Sequence, residues 1–221
     1  MKIVFATGNS GKLREAHEIL GEGFELVTPA ALGVKEEIPE TGGTIAANSY
    51  QKAKYIKDHC GADSFADDTG LEVEILGGAP GVHTARYAGE DKDFDKNMDK
   101  LLDDMAMAEK EASMAREFAL DTVHATRKAR FVTVVTLILN GEMHTFEGVM
   151  KGKIRISKAG KGGFGYDPVF VPDEILQDDG TIGPNVGRLT AAEMTEEQKN
   201  AISHRGKALR AMADYLHALV S

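Results

Sequence analysis

The sequence predicts an α/β protein with a mixed β-sheet flanked by helices. Three observations predict it. Short apolar strands alternate with helical stretches, residues 131–139 are nearly all apolar and β-branched, and Asn140-Gly141 follows that run directly. A β-branched apolar run fits a strand buried on both faces, and Asn-Gly is a strong two-residue hairpin signal, so the next strand should run antiparallel. The 221 residues suffice for a substantial core. With no internal repeat or linker, residues 1–221 read as one domain.

Residues 2–6 read as a short buried strand, turned by Thr7-Gly8-Asn9 into a helix at 10–20. There Leu13, Ala16, His17 and Leu20 recur at helical spacing, and Asn9 or Ser10 can cap the start. A strand at 24–27 precedes an acidic, turn-rich loop at 28–43. Thr44 opens a helix to about residue 58, with Ile45, Tyr50, Ala53 and Ile56 as core contacts. Residues 64–67 and 71–75 read as two strands, with Asp67-Asp68-Thr69-Gly70 between them. From 92 to about 125 the pattern predicts two helices, packed through Met105, Met107 and Met114. The hairpin at 140–141 leads to a strand at about 143–150, and a glycine loop at 160–168 to a short apolar stretch at 169–171. Residues 173–188 read as an exposed loop, and Thr195-Glu196-Glu197-Gln198 as a capping box. The last helix, capped by Ser203, presents Leu209, Met212, Leu216 and Leu219 on one face.

The formal net charge of −9 argues against a broad grip on a nucleic-acid polymer, which needs a basic surface. It leaves room for a small phosphorylated ligand held by a few local donors. The first apolar run is too short for a signal peptide, and no run of about 18 apolar residues could span a membrane. Cys60 is the single cysteine, expected to pack as a small hydrophobe, and the cytoplasm is the expected compartment.

Three segments carry chemistry. Thr7, Gly8, Asn9, Ser10, Gly11 and Lys12 join a strand to a helix, where exposed amides, the helix dipole and a lysine favour a phosphate. The pattern is not a Walker A loop, because Ala6 and Leu13 stand where that loop needs Gly and Ser or Thr. Asp67 and Asp68 end an apolar strand. Two adjacent ionised carboxylates call for a cation or donors, and Mg²⁺ with a general base is one solution; a solvated turn is the other. Glu36, Glu37 and Glu40 form an acidic loop that would matter only in partnership with Asp68. In Gly162-Gly163-Phe164-Gly165-Tyr166-Asp167-Pro168 the glycines let backbone approach a flat ligand while an aromatic ring stacks on it; a turn with two core anchors is the plainer reading. Ser203-His204-Arg205 offers an imidazole and a guanidinium at a helix start. The scattered His59, His83, His124 and His144 suggest no zinc site.

In this order the segments resemble the inosine triphosphate pyrophosphatase family, the bacterial dITP/XTP pyrophosphatases. The resemblance rests on ATGNSGK at 6–12, ETGGT at 40–44, ADDTGLEVEILGGAPGVHTARYAG at 66–89, RKARF at 127–131, GGFGYDPVF at 162–170 and AAEMTEEQKNAISHRGKAL at 191–209. It implies an elongated mixed sheet in two lobes around a nucleotide cleft, usually as a homodimer. It also implies Mg²⁺-dependent cleavage of a nucleoside triphosphate between the α and β phosphates. By the same resemblance, residues 7–12 hold the triphosphate, Asp68 accepts a proton and contacts the metal, and Glu40 is the second metal ligand. Lys52, Thr69, Phe164, Gly165, Tyr166, Asp167, Lys199, His204 and Arg205 contact the nucleotide. The chain departs from the family in carrying Ala47-Asn48-Ser49 where Glu-Asn-Ala is common, and in longer stretches at 105–127 and 177–187.

Base choice follows from hydrogen-bond parity. Hypoxanthine and xanthine present a 6-oxo acceptor, whereas adenine presents a 6-amino donor that a cationic His204/Arg205 environment should reject. Guanine shares the 6-oxo group, so its exclusion must act at the 2-amino position. Two rivals remain open: a septum-type pyrophosphatase for modified pyrimidines, which the GGFGYDP and SHRGKAL segments disfavour, and a non-catalytic nucleotide sensor that would not need Asp68.

Overall fold

A computed structural model describes residues 1–115 and 127–220. Strands β1 (Lys2–Phe5), β2 (Glu25–Val27), β3 (Ser64–Val73), β4 (Pro80–Gly81), β5 (Lys128–Leu139), β6 (Glu142–Ile154) and β7 (Phe170–Pro172) form a seven-stranded sheet, and β8 (Glu174–Leu176) with β9 (Ile182–Pro184) a separate ribbon. The helices among the described residues are α1 (Ser10–Leu20), α2 (Ile45–Cys60), α3 (Phe94–Ala115), α4 (Glu196–Ile202) and α5 (His204–Val220). The sheet is of mixed sense: β1 pairs in parallel with β2 and β3, while β4 on β3 and β7 on β6 are antiparallel. The Asn140-Gly141 hairpin joins β5 to β6, both turn residues at positive φ as a tight primed turn requires.

The chain packs as two compact units. The first comprises Met1–Thr69, Val132–Val149 and His204–Ser221. Its sheet is covered on both faces, and strand alternation decides which side chain goes where. Ile3, Phe5 and Phe65 pack with Ala16 and Leu20 of α1 and with Leu209, Met212 and Leu216 of α5. Their neighbours Val4, Ala6 and Ala66 point the other way, onto Ala53 and Ile56 of α2. Each such large side chain withdrawn from water contributes about 1.5–3 kcal/mol, which is what holds the helices to the sheet.

The second unit comprises Gly70–Phe131 and Met150–Ser203. Its core gathers Leu71 and Val73, Met98, Leu101 and Met105 of α3, Phe131, Ile154, Tyr166, Phe170 and Ile202. The capping box forms as expected: Thr195 Oγ1 accepts from Gln198 N at 3.2 Å and Gln198 Oε1 from Thr195 N at 3.0 Å.

Several expectations need correction. Residues 64–73 form one continuous strand, so Asp67-Asp68-Thr69-Gly70 is no turn; buried apolar residues on both sides carry the extended backbone through it. Residues 74–76 are a 3₁₀ turn rather than strand. The loop expected at 173–188 contains the β8–β9 ribbon, joined by a turn with Gly180 at φ 81°. Of the three methionines expected to pack the 92–125 stretch, Met105 is core, whereas Met107 and Met114 are exposed. His17, Tyr50 and Leu219 also face solvent, each lying just outside its helix's buried stripe. Residue 94 begins one helix that runs to 115; the second helix expected before residue 125, and His124, lie outside the described residues.

Candidate active site

The site is built at the carboxyl end of β1, where α/β sheets commonly bind ligands, and beside the middle of its parallel neighbour β3. β1 ends at Phe5, opposite Phe65 of β3, and β3 continues through Asp67, Asp68 and Thr69 beside the loop that leaves β1. That loop is pinned by Asn9. Its Oδ1 accepts from Gly11 N at 2.9 Å and Lys12 N at 3.1 Å, and its own N–H donates to Thr7 Oγ1 at 3.1 Å. Asn9, not Ser10, is therefore the cap. It uses two of the amides that an anion would otherwise meet, so the anion-binding donors left to this turn are those of Gly8 and Ser10.

Adjacent residues of a strand point to opposite faces, and that separates the two aspartates. Asp67 shares the face of Phe65 and meets α1 and α5. Lys12 Nζ lies 2.7 Å from its Oδ2 and Arg205 Nε 3.1 Å, while Arg205 also reaches Glu15 at 3.1 Å. Burial alone would raise the Asp67 carboxyl, but Lys12 and Arg205 more than offset it and hold it far below the usual carboxylate range.

Asp68 shares the face of Ala66 and meets α2. Lys52 Nζ donates to Asp68 Oδ1 at 3.1 Å and to Glu40 Oε1. Burial raises the Asp68 carboxyl despite the lysine, whereas Asp68 and Glu40 hold the buried Lys52 ammonium above its ordinary value. The expected joint site on Asp67 and Asp68 is thus corrected: each carboxylate has its own cation on its own face.

One face of α2 arranges the Glu40 loop. Asn48 Oδ1 accepts from Gly42 N at 2.7 Å, Gln51 Oε1 from Thr41 N at 2.9 Å, and Lys52 binds Glu40. These residues sit at i, i+3 and i+4, the spacing that aligns side chains on a helix. Gly42 approaches so closely that a Cβ there would lie 2.7 Å from Ala47 Cβ and 2.8 Å from Asn48 Oδ1. At the position where the family commonly has Ala, Ser49 Oγ lies 2.9 Å from both the Ala66 carbonyl and Thr136 Oγ1, tying α2 to β3 and β5.

The donor set fits Mg²⁺. Glu40 and Asp68 already direct two hard oxygen donors at one positive charge, the Lys52 ammonium. Among the described residues no third acid, histidine or cysteine joins them. One or two carboxylates, with substrate phosphates and water completing the shell, is an ordinary arrangement for Mg²⁺.

Thr69, on the Asp67 face, meets Thr133 of β5 at 2.7 Å between hydroxyls, and Thr133 Oγ1 lies 2.7 Å from His204 Nδ1. Burial, with the Arg205 charge beside it, pushes His204 down to about 3, so the ring is neutral near pH 7. The expected cationic His204/Arg205 environment is corrected at His204, whose ring is uncharged; Arg205 keeps its charge and is paired with Asp67 and Glu15.

In the second unit, the loop before β7 and helix α4 form another group. Asp167 Oδ2 accepts from Phe164 N at 3.0 Å and from Lys199 Nζ at 2.6 Å, and the Lys199 ammonium stands 5.6 Å from the Phe164 ring centroid. Gly163 has φ +73°, and a Cβ there would fall 2.1 Å from Asp167 Oδ2. Of the two aromatic residues, Phe164 is 67% exposed. Tyr166 is a core anchor whose hydroxyl donates to the Thr84 carbonyl at 2.9 Å. Gly165, between them, takes φ +62°.

The structure therefore brings residues 7–12, Glu40, Lys52, Asp68, Thr69, His204 and Arg205 into one unit, and Phe164, Gly165, Tyr166, Asp167 and Lys199 into the other. Sequence reasoning missed Glu15, Asn48, Gln51 and Thr133. Period-two alternation carried through 64–73 as one strand would have assigned the two faces.

The sequence model of the Ham1 family matches residues 3–215. The chain belongs to the Ham1 family. Two relatives of this Ham1 chain carry the name dITP/XTP pyrophosphatase. The one from Porphyromonas gingivalis is 43% identical over 215 residues, covering 97% of each chain. The one from Flavobacterium psychrophilum is 41% identical, covering 97% of this chain and 98% of its own. Among solved structures, a HAM1 protein from Coxiella burnetii superposes with a TM-score of 0.82 at 32% identity over 99% of both chains. The Staphylococcus aureus Ham1 protein does so with 0.81 at 30% identity, over 99% of this chain and 100% of that one. The Ham1 assignment thus covers both units and agrees with the resemblance drawn from the motifs.

Proposed function

We propose that this chain is a nucleoside triphosphate pyrophosphatase. It hydrolyses the non-canonical purine nucleotides ITP, dITP and XTP to the monophosphate and pyrophosphate, clearing them from the nucleotide pool. One observation carries the reading: Asp68 stands half-buried beside the phosphate-type turn at Thr7–Lys12, with Glu40 and Lys52 gathered on it.

The chemistry follows from those residues. The amides of Gly8 and Ser10, with Lys12 behind them, hold the triphosphate against a helix start. Asp68 accepts the proton of a water that attacks the α-phosphorus. The water oxygen becomes part of the monophosphate as the α–β bridging bond breaks, and the electron pair leaves with pyrophosphate. Lys52 holds Asp68 and Glu40 in place and keeps a positive charge beside them. Glu40 and Asp68 would hold Mg²⁺, which when bound supplies charge neutralisation to the phosphates and the leaving pyrophosphate. Phe164, with Gly165, Tyr166 and Asp167 shaping its loop and Lys199 beside it, offers a ring face and a cation suited to a purine. Thr69, His204 and Arg205 complete the nucleotide contacts. On the same reading the enzyme is a cytoplasmic homodimer.

The test is a panel of ITP, XTP, dITP, GTP, ATP and dUTP with Mg²⁺, measuring pyrophosphate against orthophosphate. Pyrophosphate from the first three, and little from the rest, is expected. Orthophosphate from ITP, equal turnover of GTP, or preference for dUTP would refute the reading. Asp68→Asn should cut the rate by about 10²–10⁴-fold, the usual contribution of a positioned general base; unchanged function would point to a sensor instead.

A further inference from the structure

We infer that the solvent-facing side of β5 and β6 in the second unit is a docking face for an extended acidic peptide segment of a partner protein. The inference does not depend on the function proposed above.

Alternation along the two strands gathers basic side chains there. Lys128 and Arg130 of β5, and Lys151 and Lys153 of β6, are exposed between buried neighbours, and half-buried Arg155 continues the β6 row. The register sets these charges against one another. The two-residue hairpin leaves Leu139 opposite Glu142. At the far end Ile154 N donates to the Arg127 carbonyl at 2.9 Å, an equal number of residues along each strand. Lys128 therefore stands opposite Lys153, and Arg130 opposite Lys151.

Arg127 and Ile154 occupy a hydrogen-bonded position of the ladder, so both like-charged pairs fall at non-hydrogen-bonded positions, where side chains come closest. Like charges directly opposite destabilise a sheet. Among the described residues, only Arg130 of these exposed bases has an ion-pair partner, Glu72 at 2.7 Å. In a chain of net charge −9, a single glutamate at 128 or 153 would relieve one conflict and keep the face soluble. Repulsion kept at such close positions fits a face that receives negative charge from outside.

The borders of the face select the ligand. Glu72 flanks Arg130 on β3, and Asp173, whose N–H donates to the Lys151 carbonyl at 2.9 Å, flanks Lys151 on the other side. The bases thus form a strip two strands wide, about 5 Å from strand to strand, with an acid at each edge. A duplex or a membrane surface would press phosphates onto Glu72 and Asp173 as well, whereas one extended chain can follow the strip. Along each strand the bases recur at every second residue, about 7 Å, which is also the spacing of acidic side chains at alternate positions of an extended peptide. None of these residues is aromatic, so the strip lacks the stacking platform on which single-stranded nucleic acids are held.

The experiment follows the fluorescence anisotropy of a labelled peptide of alternating Glu and Ser titrated with the full chain. Binding is expected, and it should tighten as salt falls from about 0.15 M to about 0.01 M and screening weakens. Lys151→Glu combined with Lys153→Glu should weaken it at least about 10-fold, while Lys35→Glu combined with Lys110→Glu, an equal change in net charge elsewhere, should leave it within about 2-fold. The first double variant should also unfold at a higher urea concentration than wild type, because residues 151 and 153 then meet Arg130 and Lys128 as opposite charges. That shift separates lost binding from a damaged fold. No binding at the lower salt, or equal weakening by both double variants, overturns the proposal. So does tighter binding of a labelled oligothymidylate or of vesicles containing anionic lipid. A lower urea midpoint in the first double variant would remove the repulsion on which the inference stands.

Discussion

Asp67 sits between Lys12 and Arg205 on the α1/α5 side of β3, and its ionised form is part of what holds that side together. Burial penalises the charge, so its depressed carboxyl is the work of the two cations. The linkage sign follows. The folded state binds the Asp67 proton less readily than the unfolded chain, where the ordinary value is 3.8, so the stabilisation is complete above that pH and fades below it. Asp67→Asn should cost about 3 kcal/mol at pH 7, because the half-buried Lys12 and Arg205 lose their shared, buried anion. Urea denaturation at several pH values should show the gap between wild type and variant narrowing as pH falls below about 4. A constant gap would mean that shape rather than charge matters at this position. Asp68, one residue on, faces Lys52 of α2 instead, because alternation turns it to the other side of the strand.

At the scale of elements, α5 is set by what β6 omits. Gly148 offers no side chain, and the helix start comes down onto the strand at His204 and Ala208. Gly148→Ala should displace that start, with a loss of about 1–3 kcal/mol typical of overpacking and a lower kcat/KM for ITP. Gly187→Ala is the matched control: its added Cβ would meet Leu189 Cγ at an ordinary 3.7 Å, so denaturation should shift by no more than about 0.5 kcal/mol. Equal effects at the two glycines would remove close approach as the explanation. The helix α2 shows the complementary device, a row of side chains at 48, 51 and 52 that hangs the Glu40 loop from one helix face.

For the whole molecule, the charge of −9 bears on both partner and metal. An acidic surface gives no general attraction for a polyanion, and no helix among the described residues is long and apolar enough to cross a membrane. In the first unit the basic side chains Lys12 and Arg205 are engaged by Asp67, and Lys52 by Glu40 and Asp68; in the second unit Lys199 is engaged by Asp167. A triphosphate brought to such residues adds negative charge to a site already rich in it. Pyrophosphate release from ITP should therefore fall to background with a chelator and return with Mg²⁺. Undiminished turnover in chelator would show that the lysines alone balance the charge.

The sequence by itself determined the α/β class, the helix at Ser10–Leu20, the 140–141 hairpin and the capping box at Thr195. Each rests on interactions within a few residues, where spacing and turn chemistry are sufficient. The motifs also singled out Asp68, Glu40 and the turn at 7–12 as segments of interest, though not what each side chain touches. Tertiary structure decided that residues 64–73 run as one strand, and so that Asp67 and Asp68 serve opposite faces. It also decided that His204 is neutral, that Tyr166 is core while Phe164 is exposed, and that Thr133 joins Thr69 to His204. Those outcomes depend on burial and on partners 64 to 138 residues away along the chain. A pattern of neighbours in sequence does not encode them until packing brings the faces together.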